Sequence, residues 1–84
     1  MNLRFTPQAE KSYKKLSSIL QKKADKQFFY LLANYRHPSL RARKMTTGLF
    51  EGRIDYQYRF TFEVKGEIVY ILSLGPHDTG LGKK

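Results

Sequence analysis

The chain has no cysteine, so neither a disulfide nor a zinc–thiolate site braces it. That absence agrees with a reducing compartment, and a cytoplasmic location is the expectation. Long apolar runs are missing as well. The longest, IVYILSL at 68–74, holds seven residues, against the roughly 20 that cross a bilayer. The opening MNLRFTPQ lacks the apolar segment of a signal peptide, so no membrane partner is expected. No glycine-rich phosphate loop, HExxH pair or group of residues at metal-ligand spacing occurs, and neither a metal nor a small-molecule cofactor is expected. Only two histidines, His37 and His77, offer acid–base chemistry near neutral pH. Acidic residues are scarce too, with seven against 16 Lys plus Arg, a formal charge of +9.

The basic excess is unevenly placed. Residues 1–44 carry eleven basic and two acidic residues, whereas 45–84 carry five of each. A field of this size on an 84-residue body attracts polyanions, nucleic acid foremost. A lysine-coated helix surface kept soluble by charge, lipid headgroups and an acidic protein partner fit the same excess. The length suits one domain over 1–84, near the small end of what folds alone, burying roughly 60–65% of its unfolded surface.

Periodicity divides the chain. NLRF at 2–5 reads as a short strand. Thr6 and Pro7 read as N-cap and first residue of a helix, with Ala9, Tyr13 and Leu16 on one stripe. Ser18 with Gln21 matches a capping box that opens a second helix. Its stripe is Leu20, Ala24, Phe28, Leu31 and Tyr35, widened by Phe29 and Leu32, and His37–Pro38 is expected to end it. The period then becomes 2. LRARKM (40–45), LFEGRI (49–54) and YRFTFEV (58–64) read as strands, with turns at Thr46–Thr47–Gly48 and Lys65–Gly66. IVYILSL is apolar on both parities, the pattern of a central strand covered on both sides. The expectation is an α+β fold: two N-terminal helices packed on one face of a small, twisted, antiparallel-rich sheet, with three or four strands after the helices.

Parity then locates chemistry. If Phe50, Tyr58, Phe60 and Phe62 face the helices, Arg53 and Arg59 face away from them, near each other across the DYQY connection. Counting outward from the turn pairs Arg59 near Tyr70 to Leu72 and brings His77 to the same end. Two guanidiniums and an imidazole suit cleavage of RNA by its own 2′-hydroxyl, a route needing no metal. That reaction requires a base, cations for the phosphorus charge and an acid for the leaving oxygen. On residue types alone, a solvated face with Arg53 and Arg59 paired to Glu51 or Glu63, and a turn histidine at 77, explain the same residues. His37, before Pro38, reads as a loop residue.

The succession FTPQAEKSYKKL, NYRHPSLRARKM, LFEGRIDYQYRFTFEV and ILSLGPHD resembles the RelE/ParE superfamily of type II toxin–antitoxin toxins over nearly the whole chain. The resemblance implies the RelE-type fold, a ribosome-dependent mRNA endonuclease and a cognate antitoxin from the same operon. It implies catalytic roles for Arg59, in the place of the arginine of the RelE word YRL, and for Arg53 on the preceding strand. His77 in GPHD resembles the GTH of the YafQ branch, where the histidine is the general base. Glu51 stands where the RelE pattern has a second lysine nearby, and no tyrosine follows His77. The ParE branch shares the fold but inhibits DNA gyrase, and a catalytically degenerate RNA-binding member is a third alternative. Arg41, Arg43 and Lys44 are expected to contact ribosomal or messenger RNA backbone. Tyr13, Phe29 and Leu32 are expected to contact an acidic, amphipathic antitoxin segment.

Overall fold

Thr6 starts helix α1 (Pro7–Lys14) as its chemistry demands: its side chain accepts a hydrogen bond from the Ala9 N–H at 3.1 Å, and Pro7 occupies the position where a missing N–H costs nothing. The same hydroxyl donates to the Leu72 carbonyl at 2.9 Å, fastening the helix start to the sheet. The computed structural model describes residues 2–46 and 48–76. Within them, β1 (Asn2–Phe5) precedes α1, followed by α2 (Ser18–Ala33) and a short 3-10 turn (Pro38–Leu40). Four strands complete the order: β2 (Arg43–Thr46), β3 (Leu49–Arg53), β4 (Tyr58–Lys65) and β5 (Ile68–Pro76). The strands form one sheet in the order β1-β5-β4-β3-β2. β1 runs parallel to β5 and the other pairs are antiparallel. The α+β architecture is the expected one, with two helices against one face of a mixed sheet.

Boundaries differ in four places. Ser17, not Ser18, caps α2, accepting from the Leu20 N–H at 3.2 Å. Gln21 is therefore free of the capping box and donates instead to the Tyr13 carbonyl at 3.1 Å, closing the corner between the helices. α2 stops at Ala33, not at His37, because Asn34 turns extended (φ −167°) and its side chain accepts from the Arg36 N–H at 3.0 Å. Such a local bond gives the backbone an alternative to the helical one. Leu40 belongs to the 3-10 turn and is buried, so β2 begins only at Arg43.

The fourth difference is in β5. Among the described residues no second layer covers its outer side. The pairing passes from Phe62↔Ile71 to Thr61↔Ser73, which leaves Leu72 as an extra residue, a bulge. The bulge switches the inward set from Val69 and Ile71 to Leu74, and that change of phase makes both parities apolar. The tight turn that pairs Lys65 with Ile68 would by itself set Arg59 opposite Leu74, and the bulge moves it one further, to Gly75, so the expected pairing with Tyr70 to Leu72 is not formed.

The core lies between helices and sheet, with Ala9, Ala24, Leu31, Phe60, Phe62 and Ile71 among its fully enclosed members. Aromatic rings run through it, from Phe5 to Phe28 (5.5 Å), Phe28 to Phe60 (5.2 Å), Phe60 to Phe62 (5.6 Å) and Phe62 to Phe50 (5.4 Å). Each such pair adds about 0.5–1.5 kcal/mol beyond its area. Gly52 faces inward opposite Phe60. A Cβ there would stand 2.5 Å from Phe60 Cζ, so the phenyl ring occupies the space a side chain at 52 would need.

Candidate functional site

The sheet face opposite the helices carries a row of charge. Arg53 and Arg59 sit directly opposite each other across β3 and β4. One step along, Glu51 lies between Arg43 on β2 and Thr61 on β4. Arg41 reaches the same place from the end of the 3-10 turn, where it adopts a left-handed backbone conformation (φ 47°). These four arginines and Glu51 line a pocket of about 280 Å³. Glu51 is only 4% exposed and accepts from Arg43 Nε at 3.2 Å. Its other oxygen, Oε2, and Arg53 Nε are both buried with no protein partner among the described residues. Buried polar atoms are ordinarily satisfied, so the pocket holds unused hydrogen-bonding capacity inside a ring of cations. An anion with several acceptor oxygens suits it.

Two devices hold the arginines in place. In the β3–β4 connection, Asp55 Oδ1 accepts from the N–H groups of Gln57 and Tyr58, both at 2.9 Å, a side-chain turn that shapes the loop. Arg59 Nη1 donates to the resulting carbonyls of Asp55 (2.8 Å) and Tyr56 (3.0 Å). This orients the guanidinium and leaves Nε and Nη2 as its second fork. Burial pushes the Asp55 carboxyl up, but the Gln57 and Tyr58 N–H groups and the Lys23 ammonium, 3.5 Å from Oδ2, outweigh it and hold the group below its ordinary value. The second device is Gln27, buried in α2. Its amide nitrogen donates to the carbonyls of Arg53 (2.7 Å) and Ser39 (2.8 Å), tying the helix to β3 and the 3-10 turn on either side of the pocket.

Arg53, Arg59, Arg41 and Arg43 thus come together, while Lys44 goes elsewhere. It pairs in register with Phe50 and lines a separate pocket of about 390 Å³ with Tyr35, Arg36 and His37. His77 lies outside the described residues; Gly75 and Pro76, which precede it, stand opposite Arg59 and Tyr58. Tyr13, Phe29 and Leu32 meet at a third pocket of about 670 Å³, between the two helices and β1. Phe29 is 70% exposed there, and the Tyr13 hydroxyl donates to Asp25 Oδ1 at 2.6 Å, a bond that raises its pKa. His37 stacks on Tyr30 at 4.2 Å and accepts from the Ser39 N–H, the part of a structured loop residue. Gln27 and Asp55 escaped the sequence reading. The signal for Gln27 was a polar residue three after Ala24 and four before Leu31, inside the buried stripe; the signal for Asp55 was an aspartate opening the DYQY connection.

A helical hairpin on one side of a five-stranded mixed sheet, with arginines on the other, is the arrangement of the RelE/ParE toxin fold, and the chain has that fold. No family model and no curated protein matches it in sequence. Among solved structures it is similar to the intact RelBE toxin–antitoxin complex of E. coli, at 25% identity and TM-score 0.72 over 88% of this chain and 93% of that one. It is similar to the YoeB–YefM complex of Staphylococcus aureus at 24% identity and TM-score 0.72, over 92% and 97% of the two chains. The YoeB/ParE toxin of Agrobacterium tumefaciens follows at 17% identity and TM-score 0.73, over 92% and 99%.

Proposed function

We propose that this chain is the toxin of a type II toxin–antitoxin pair and cuts mRNA on the ribosome, with Arg53 and Arg59 holding the scissile phosphate. The observation that carries this is the arginine pocket on the uncovered sheet face, where Arg53 and Arg59 are in register and unused donor capacity is buried among four cations. The reaction forms a bond from the ribose 2′-oxygen to phosphorus and breaks the bond from phosphorus to the 5′-oxygen. It leaves a 2′,3′-cyclic phosphate and a 5′-hydroxyl. The 2′-hydroxyl proton goes to a base and the leaving oxygen takes one from an acid. Arginine stays charged throughout and stabilises the pentacoordinate phosphorus. His77, next in sequence after Pro76, is assigned one of the two proton transfers, as base or acid. Glu51 holds Arg43 through the 3.2 Å ion pair, and Arg41 and Arg43 contact the flanking backbone.

The antitoxin is assigned to the groove lined by Tyr13, Phe29 and Leu32. A segment with an apolar stripe and acidic flanks would cover Phe29 and meet the exposed Lys22, Lys23 and Lys26 of α2 together. Hydrogen exchange with and without the antitoxin checks this: protection should appear on α1 and α2, and protection confined to the β3–β4 hairpin would place the partner elsewhere.

Induced expression with primer extension on cellular mRNA tests the activity. The wild type should arrest growth and leave new mRNA ends, and Arg59→Ala or His77→Ala should abolish both. Arrest with intact mRNA and DNA-damage signalling would replace this reading with gyrase inhibition. RNA binding without cleavage or arrest would identify a degenerate member.

A further inference from the structure

The pocket that receives Lys44 has its own chemistry, distinct from that of the arginine row. Its floor is aromatic: Tyr35 packs on Phe50 at 5.8 Å, and Phe50 is stacked on the buried Phe62 at 5.4 Å. The floor is therefore rigid, fixed from beneath by the core. Its rim is cationic, formed by the exposed Arg36, Arg41 and Lys44, and no acidic residue lines it. None of the three rim cations has a carboxylate partner among the described residues, whereas Arg43, beside them, is paired to Glu51. Arg41 lines both this pocket and the arginine pocket. A left-handed backbone is strained for a non-glycine residue, and strain of this kind gathers where a side chain has a functional placement. At 41 the strained backbone supports a guanidinium shared by two pockets.

We propose that this second pocket is a nucleotide subsite for single-stranded RNA. One base lies against the Tyr35–Phe50 floor and its phosphate sits among Arg36, Arg41 and Lys44, on a strand that continues past Arg41 to the phosphate held by Arg53 and Arg59. The two rings are tilted 60° to each other, so a base stacks on one of them, Tyr35, whose ring already has the Arg36 guanidinium 5.8 Å from its centroid. An aromatic face beside cations without carboxylate partners matches a nucleotide, which joins a π-face to an anion. An acidic peptide would satisfy the rim but not the floor. The proposal extends the RNA-cleavage reading by assigning a place to a flanking nucleotide, and it requires that the substrate be unpaired there, since a base in a duplex has no free face.

The test compares two fluorescent probes on the full chain by anisotropy: a 2′-O-methyl hexauridylate, which resists cleavage, and the same backbone without bases. The wild type should prefer the probe with bases by about 5- to 100-fold, the effect of one base–aromatic stack. Tyr35→Ala should bind both probes alike, while Tyr35→Phe keeps the preference and excludes a folding fault. Arg36→Ala and Lys44→Ala should each lower the salt slope by about 0.7 for either probe. Equal binding of the two probes by the wild type, or a preference unchanged in Tyr35→Ala, overturns the subsite. Arg59→Ala distinguishes the two readings: it should weaken both probes equally, and if it weakens neither, the phosphate assignment fails whether or not the base preference survives.

Discussion

The two faces of the sheet are made by alternate residues of the same strands and have opposite chemistry. From β3 and the residue after it, Phe50, Gly52 and Ile54 go to the helices, and Glu51 and Arg53 go to the other side; from β4, Phe60 and Phe62 go inward, and Arg59 and Thr61 outward. The covered face is close-packed to the point that Gly52 has no room for a methyl group. The open face gathers four guanidiniums around one carboxylate and holds buried donor and acceptor atoms that have no partner among the described residues. Packing of that quality tolerates little change of volume, whereas like charges gathered on an open surface raise the energy of the free protein and are relieved by an anion. Stability and activity are thus assigned to alternate residues a few ångströms apart, so substitutions on the two faces should separate the two properties.

The largest effect expected is on the open face. Arg59→Ala removes the guanidinium proposed to hold the phosphate, whose Nε and Nη2 have no partner among the described residues, and cleavage of ribosome-bound mRNA should fall by about 10²–10³, the usual loss when one charge-stabilising donor is deleted. A wild-type rate would break the assignment. On the covered face, Gly52→Ala should destabilise by about 1–3 kcal/mol through displacement of Phe60, visible as a lower denaturant midpoint; an unchanged midpoint would show that the ring yields freely.

Gln27→Leu probes the link between the faces. It strands the carbonyls of Arg53 and Ser39, at a cost of about 1–3 kcal/mol for a buried group left unsatisfied. Because the Arg53 backbone loses its anchor, cleavage should fall more than the stability loss alone accounts for. The smallest effect concerns Asp55, whose carboxyl is held below its ordinary value in the folded chain. A depressed carboxylate contributes stability above its unfolded pKa of about 3.9 and loses it as pH falls through the folded value. Asp55→Asn keeps the turn acceptor but loses the attraction to Lys23. It should be less stable than the wild type by under about 1 kcal/mol at pH 7, and the gap should close toward pH 3. A gap that persists in acid would assign the effect to the turn rather than to charge.

What could be read from the sequence divides along similar lines. Local signals held: Thr6–Pro7 at the start of α1, the inward and outward sets of β3 and β4, and the opposition of Arg53 and Arg59 all follow from neighbours in the chain. Features that depend on distant partners did not show. The Leu72 bulge exists only in pairing with β4, so a single-strand reading took its phase change for two-sided burial. Asn34 ends α2 through its own side chain ahead of the Pro38 signal. Gln27 reads as a break in an apolar stripe until β3 and the 3-10 turn supply its acceptors. The aromatic-floored pocket joins Tyr35 to Phe50 across 15 positions of sequence, a contact that no periodicity reports.

The central claim is that the open face acts and the covered face holds, and one paired measurement bears on it most directly. Thermal midpoint and cleavage of ribosome-bound mRNA are followed together for the wild type and for the Arg53→Ala/Arg59→Ala double variant. The account predicts a midpoint within a few degrees of the wild type, because the lost contacts are polar and near the surface. It also predicts no cyclic-phosphate ends on the message. A folded double variant that still cuts the message at the wild-type rate would contradict it.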